Sequence, residues 1–384
     1  MKTQPTLRTM LEGIIATPSV SSVHPDFDQG NRQVAEQVAG WLELLGFAVQ
    51  VIPIPGAPDK ANVVGTLGSG SGGLLLAGHT DTVPFDRERW TSDPFTLAER
   101  DGRLYGLGTS DMKSFIPIAI EAARAFKAGQ FARPLTILGT ADEESSMCGA
   151  AALTAGQLAH PAHAVIGEPT GMAPVHVHKG ILMEAIRLTG SGGHSSDPAG
   201  GASALDAMQR VMGALMEWRT QLGTRHRDTR FAVPVPTLNL GHIHGGDNPN
   251  RICAACELHI DLRPLPGMGV DELRAELAQR VHSAIAGSGV GAEVFPLFAG
   301  TSAMETPEQA PIVQAAAELS GQTPRAVTFG TEGPYLTALG IDTVILGPGD
   351  IAQAHRPDEY LELSRIPPTV EILRTLVHRF CVGA

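Results

Sequence analysis

Apolar positions in the first fifty residues repeat at helical spacing. Leu7, Met10, Leu11, Ile14 and Ile15 share a face and predict an amphipathic helix over Leu7–Ala16. Val34, Val38, Trp41, Leu42 and Leu45 predict a second, from about Asn31 to Leu45. The rhythm then changes to short apolar runs bounded by Gly, Pro or polar turn residues. These are Val49–Ile54, Ala61–Leu67, Gly73–Ala77, Leu135–Gly139, Ala164–Gly167 and Thr343–Gly347. Such runs read as strands. Several alternate with helical stretches such as Lys113–Lys127, which predicts an α/β domain: a mostly parallel sheet with helices on both faces. The segment Gly68–Gly73 precedes a strand rather than joining strand to helix, so it fails as a phosphate loop and predicts a hairpin-like turn.

Between Gly180 and Leu297 the order differs. Strand Ile181–Thr189, helix Ser203–Leu222 and strand Thr237–His242 come first; strand Arg251–Leu262, helix Val270–Ala286 and strand Glu293–Leu297 follow. This β-α-β-β-α-β order is the ferredoxin-like α+β pattern. A chain of 384 residues exceeds what one hydrophobic core usually serves. The expectation is a larger domain of residues 1–179 and 298–384, interrupted by an inserted domain of 180–297. A four-stranded sheet leaves open edges, and pairing between two subunits would cover them, so a homodimer through the inserted domain is expected.

Composition narrows the partners. A formal charge of −12 argues against nucleic acid or an anionic membrane, both of which call for basic patches. The four cysteines are too sparse for a disulfide framework, and Cys253–Cys256 is a lone CxxC inside a predicted strand. No apolar run approaches the roughly 20 residues that span a bilayer. The segment from Met1 to Val20 lacks a long apolar core of the signal-peptide kind, so a cytoplasmic location is expected.

The ionisable residues fall repeatedly at one kind of place. His79 and Asp81 follow the run Gly73–Ala77, Glu143 and Glu144 follow Leu135–Gly139, and Glu168 follows Ala164–Gly167. His355 comes soon after the run ending at Gly347, and Asp111 sits in a Gly-rich turn before a helix. The C-terminal edge of an open α/β sheet is where ligands bind. Two imidazoles with carboxylates and no thiolate suit zinc, cobalt or manganese at a hydrolytic site. The set exceeds the needs of one ion but matches two divalent ions sharing a carboxylate, a pair that can activate water and polarise a carbonyl. Of the neighbours Glu143 and Glu144, one can then bind metal while the other handles the proton. Asp81 can take the second imidazole N–H of His79, or simply cap its loop.

The runs Gly78–Pro84, Gly106–Lys113, Thr140–Glu144 and Gly167–Thr170 resemble the aminoacylase and glutamate-carboxypeptidase-type metallohydrolases, and the likeness extends over essentially the whole chain. It implies that His79 and Glu168 hold one metal, Glu144 and His355 the other, with Asp111 bridging and Glu143 as general base. Zinc is the first choice of metal and cobalt the second. It also implies a cis peptide at Asp111–Met112, and an N-acyl amino acid as substrate. The stretches Pro236–Asp247, Asp261–Met268, Gly330–Pro334, Leu346–Gly349 and Gln353–Tyr360 narrow the likeness to the deacetylases within the family. Arg356 departs from that pattern, where a neutral residue is expected.

The remaining candidates each carry two readings. His194, in Gly192–Pro198, is either incidental in a helix-capping loop or, as the resemblance implies, an oxyanion-stabilising residue offered to a partner subunit's site. Arg251, with Asn250, either pairs with a neighbouring carboxylate or grips a substrate carboxylate. Glu332 either complements a helix N-terminus or receives an ammonium group on the substrate, with Gly347 and Gly349 forming the adjoining loop. Arg263 reads as structural. His242 and His244 share a strand face but lie apart from the other ligands, so no metal is assigned to them.

Overall fold

A computed structural model describes residues 4–382 of the chain, which divide into two compact units. The first contains the chain up to His176, Thr306–Arg325 and the chain from Thr331; the second contains Val177–Glu305 and Ala326–Gly330.

The first unit is built on a sheet whose strands run in the order Ala48–Ile54, Ala57–Leu67, Leu135–Thr140, Leu74–His79, His163–Ile166, Asp342–Ile345. The last four are mutually parallel, whereas Ala57–Leu67 runs antiparallel to Leu135–Thr140 and to Ala48–Ile54. The sheet is therefore mixed, with a parallel centre and antiparallel flanks. That centre carries no polar face: Leu74–Ala77, Leu135, Ile137, Leu138 and Ala164–Ile166 are all buried, as expected of parallel strands covered on both sides. The covering helices follow the apolar stripes. Leu7–Ala16 is capped by Thr6, whose hydroxyl accepts from the Thr9 N–H at 3.2 Å, and it buries Met10, Leu11, Ile14 and Ile15. Arg32–Leu44 buries Val34, Ala35, Val38, Ala39 and Leu42. The helix Phe115–Ala123, shorter than the predicted Lys113–Lys127, is almost entirely buried and packs against Ile366–Val377.

The Gly68–Gly73 segment is not a hairpin turn. Leu135–Thr140 lies between Ala57–Leu67 and Leu74–His79 and pairs with both, so the two strands flanking the turn never meet. A third, small sheet of three-residue strands joins Ala98–Arg100, Arg103–Tyr105 and Tyr360–Glu362.

In the second unit, Thr237–Gly245, Ala255–Arg263, Leu182–Thr189 and Gly291–Pro296 form a four-stranded antiparallel sheet in that order. Two helices, Ala204–Arg225 and Val270–Ile285, supply Val211, Leu215, Trp218, Leu277 and Val281 to its core. Chain order and sheet order together are those of the ferredoxin-like α+β pattern. The strand expected from Arg251 begins instead at Ala255. Arg251 belongs to the preceding turn, where its N–H bonds to the Asn248 carbonyl and it forms an isolated bridge with His194. Cys253 likewise precedes the strand, Cys256 is buried within it, and both are free thiols.

Candidate metal centre

Register along the parallel strands brings the site together. Ala77 pairs with Ile166, so His79 and Glu168 both stand two residues beyond that pair. His79 in turn pairs with Thr140, three residues before Glu143. Strand polarity thus delivers the His79 imidazole and the Glu143 and Glu168 carboxylates to one edge. Asp111 arrives from the turn before Phe115–Ala123, across a cis peptide to Met112. His355 arrives from the loop after Asp342–Ile345, with a left-handed backbone at φ 59°.

The distances define two overlapping groups. The His79 Nε2 lies 3.3 Å from Asp111 Oδ1 and 3.9 Å from Glu168 Oε1. The His355 Nε2 lies 3.1 Å from Glu144 Oε2 and 3.5 Å from Asp111 Oδ2. Asp111 therefore offers one oxygen to each imidazole. Ligand atoms of His79, Glu143 and Glu168 lie within 4.8 Å of one another, as do those of His79, Asp111 and Glu144.

The electrostatics are those of crowded negative charge. Burial, and then the charge of the neighbouring Glu168, hold the Glu143 carboxyl well above the usual carboxylate range. Glu168 is raised well above it too, by burial first and then by Asp111 and Glu144, against the pull of His79. Burial and Asp111 raise Glu144. The hydrogen bond to Glu144 raises His355 to about 9. Burial works against a charged His79, yet its bond to Asp111 and the charges of Glu168, Asp81 and Glu143 carry it well above its usual value. Among the described residues, the ion-pair partners of Asp81, Asp111, Glu144 and Glu168 are these two imidazoles. Asp81 Oδ1 and Glu168 Oε1 are buried without a hydrogen-bond partner. Unneutralised carboxylates at this depth are costly. An O/N donor set with this excess of negative charge fits divalent cations.

Asp81 stands beside His79, but its nearest acceptor for the Nδ1–H is the main-chain carbonyl, at 3.0 Å; Oδ1 is 3.7 Å away. The other carboxylate oxygen accepts from the Glu144 N–H at 3.0 Å, so Asp81 ties the His79 loop to the Glu144 turn. Gly347 and Gly349 are placed where backbones meet. A Cβ on Gly347 would lie 2.0 Å from the Gly167 carbonyl oxygen, and one on Gly349 would lie 2.2 Å from that of Ser110. Glu332 is buried: one oxygen accepts from Thr140 Oγ1 at 2.6 Å, the other has no hydrogen-bond partner, and burial raises the group to about 7. Its side chain does not cap the helix Gly333–Ala338.

The second unit gathers His194, Asn250 and Arg251 on its own surface. The Ser195 N–H donates to the Asn250 carbonyl at 3.0 Å, the His194 Nδ1 lies 2.7 Å from Ser196 Oγ, and Arg251 pairs with Asp247 at 2.6 Å. All three are exposed. Arg263 pairs with Asp261 at 2.9 Å in its own strand. His242 stacks near His259, with ring centroids 4.8 Å apart, and among the described residues the only metal-capable groups are the two at His79.

Sequence reasoning missed a network beneath the Glu143–Glu144 turn. Asp142, left-handed at φ 64°, accepts from Lys60, from Ser146 and, at 2.6 Å, from Ser21. A third acidic residue beside Glu143 was the available signal. Lys113 is also buried, donating to the Thr17 carbonyl at 2.7 Å and to Ser19 at 3.0 Å.

A mixed α/β sheet with two overlapping carboxylate–imidazole groups at the ends of its parallel strands, in a chain that also carries a ferredoxin-like domain, is the arrangement of a metal-dependent hydrolase. The chain belongs to the peptidase family M20/M25/M40, whose profile matches residues 75–379. It is 47% identical to an acetylornithine deacetylase of Edwardsiella ictaluri over 99% of this chain and 100% of that one. It is also 47% identical to an acetylornithine deacetylase of Salmonella arizonae, over 96% of each. Among solved structures, it resembles an M20 family metallo-carboxypeptidase from Sulfolobus solfataricus, with TM-score 0.76, 16% identity and coverage of 98% and 99%. A dinuclear metal binding M20 peptidase from Bacillus subtilis matches with TM-score 0.66 at 14% identity, over 97% of this chain and 96% of that one. No described helix is long and apolar enough to cross a membrane.

Proposed function

We propose that this chain hydrolyses the acetamide of N2-acetyl-L-ornithine to L-ornithine and acetate, as a cytoplasmic step of arginine biosynthesis. The observation that carries the reading is Glu143: a buried carboxylate whose oxygen lies within 4.8 Å of ligand atoms of His79 and Glu168. The names of the relatives supply the substrate. His79 and Glu168 would hold one ion, Glu144 and His355 the other, and Asp111 both. Zinc is the first candidate and cobalt the second, because such donor sets accept either. When bound, the ions supply Lewis-acid polarisation of the carbonyl and lower the pKa of water.

The chain's own residues do the rest. Glu143 takes a proton from the attacking water as the C–O bond forms, and returns it to the departing amine as the C–N bond breaks. Asp81 holds the His79 and Glu144 loops together. His194 of the partner subunit donates to the developing oxyanion, which makes the working unit a homodimer. Arg251, beside Asn250, exchanges Asp247 for the substrate α-carboxylate. The unpartnered oxygen of Glu332 is reserved for the δ-ammonium group, reached directly or through water.

A substrate panel tests this. Amine release is measured for N2-acetylornithine, N-acetylmethionine and N-succinyl-diaminopimelate with zinc or cobalt added. Acetylornithine is expected to give the highest kcat/KM, and Glu332→Gln to raise KM for it far more than for acetylmethionine. Preference for the succinyl substrate would make the enzyme a desuccinylase instead. Equal effects of Glu332→Gln on both acetyl substrates would remove Glu332 from specificity.

A further inference from the structure

We infer that Glu359 is a positioning residue for the metal centre: its buried carboxylate sets Asp111 in place and keeps it in register with His355. Glu359 is 1% exposed, and its two oxygens accept three main-chain N–H groups. Oε1 takes those of Ser110 at 2.7 Å and Asp111 at 2.9 Å, and Oε2 takes that of Gly108 at 3.0 Å. All three donors belong to the turn that ends on Asp111. One buried side chain thus satisfies three main-chain N–H groups of this turn, and buried N–H groups left without a partner are costly.

The other end of Glu359 is equally constrained. Its carbonyl accepts from the Gly106 N–H at 3.1 Å, and the next residue, Tyr360, begins the strand paired with Arg103–Tyr105. His355 lies four residues upstream and presents its Nε2 3.5 Å from Asp111 Oδ2. A second tie holds the same loop, where the Asp350 N–H donates to Ser110 Oγ at 2.8 Å. The loop bearing one imidazole is thereby bonded on both sides of His355, at Asp350 and at Glu359, to the turn bearing Asp111. Donors sequestered by Glu359 cannot turn toward Asp111 or draw its oxygens away from the site. The outer partners of ligating carboxylates govern metal affinity as well as geometry.

This inference rests on the reading of Asp111 as a metal ligand, and the test keeps the two apart. Zinc affinity and stoichiometry are measured by competition with a chromophoric chelator for the full-length protein, Glu359→Gln, Asp111→Asn and the double variant. Glutamine keeps the size of the side chain but turns an amide donor toward at least one N–H. Glu359→Gln is expected to weaken zinc binding about tenfold or more while far-UV dichroism is unchanged. In the Asp111→Asn background, the same change is expected to alter affinity less than twofold, because its route is gone. Zinc affinity within threefold of the parent for Glu359→Gln, or a full independent loss in the double variant, overturns the inference. Should Glu359→Gln fail to fold, Glu359→Asp, whose shorter side chain cannot span all three donors, is read by the same two criteria. Failure of Asp111→Asn alone to lose zinc instead overturns the ligand assignment on which the inference stands.

Discussion

The two units place their chemistry in opposite environments. In the first, His79, Asp81, Asp111, Glu143 and Glu168 are all buried, Glu144 is half-buried and the His355 side chain is exposed. Burial and neighbouring charge raise Glu143 and Glu168, and carboxylate partners raise His79 against its burial. In the second, His194, Asn250 and Arg251 stand exposed, with partners drawn from their own loops. A buried cluster is preorganised at the cost of desolvation, so it calls for a compensating cation. An exposed cluster carries no such demand and acquires its strength only when something covers it. Substitutions in the two places should therefore fail differently: in the first through chemistry or metal retention, in the second through completion of the site.

The largest effect is expected at Glu143. Glu143→Gln keeps the shape of the turn and all five ligands, yet removes the proton carrier. A loss of about 10²–10⁴ in kcat is expected with zinc content unchanged. Near-normal turnover in a variant still loaded with zinc would show that the buried cluster does not use this carboxylate as its base.

His194→Ala comes next, with an expected loss of about 10²–10³ in kcat, the range for removing one oxyanion donor. Mixing it with Glu143→Ala subunits sharpens the comparison, because each inactive chain retains what the other lacks. Partial activity should return after subunit exchange. A mixture that stays dead after exchange has been verified by size and labelling would confine His194 to its own chain.

The legibility of these two regions in the sequence also differs. Strands buried on both faces must be apolar throughout, so Gly73–Ala77, Leu135–Gly139 and Ala164–Gly167 stood out, and the polar residues following them stood at one edge. Sheet order was not readable. The insertion of Leu135–Thr140 beside Leu74–His79 is a long-range choice, and it made Gly68–Gly73 a link that passes over that strand rather than a hairpin. The strands Ala98–Arg100, Arg103–Tyr105 and Tyr360–Glu362 are too short to show an alternating pattern, which hid the frame that fixes Glu359. The bridge between His194 and Arg251 shares that difficulty, since two isolated residues carry no periodicity. Asp81 showed a further limit: spacing put it next to His79 but could not tell its carbonyl from its carboxylate.

The smallest effect separates the units by stability rather than catalysis. His178, in the second unit, is fully buried, and that burial lowers its pKa from 6.5 to about 4. Between those values the unfolded chain binds a proton that the folded chain refuses, so stability rises with pH there. The contribution is complete above about pH 6.5 and is lost as the solution is acidified, amounting to about 2 kcal/mol by pH 5 at roughly 1.4 kcal/mol per unit. Trp218, at 0% exposure in the core of the same unit, can report it once Trp41 and Trp90 of the first unit are replaced by Phe. Urea unfolding followed by Trp218 emission should then show a steeper fall in midpoint between pH 7 and pH 5 than in the His178→Asn variant. The variant is expected to be less stable at pH 8, where its lost contact with the Lys179 carbonyl is felt, yet flatter with pH. Parallel pH profiles for the two proteins would mean that His178 keeps an ordinary affinity for protons despite its burial.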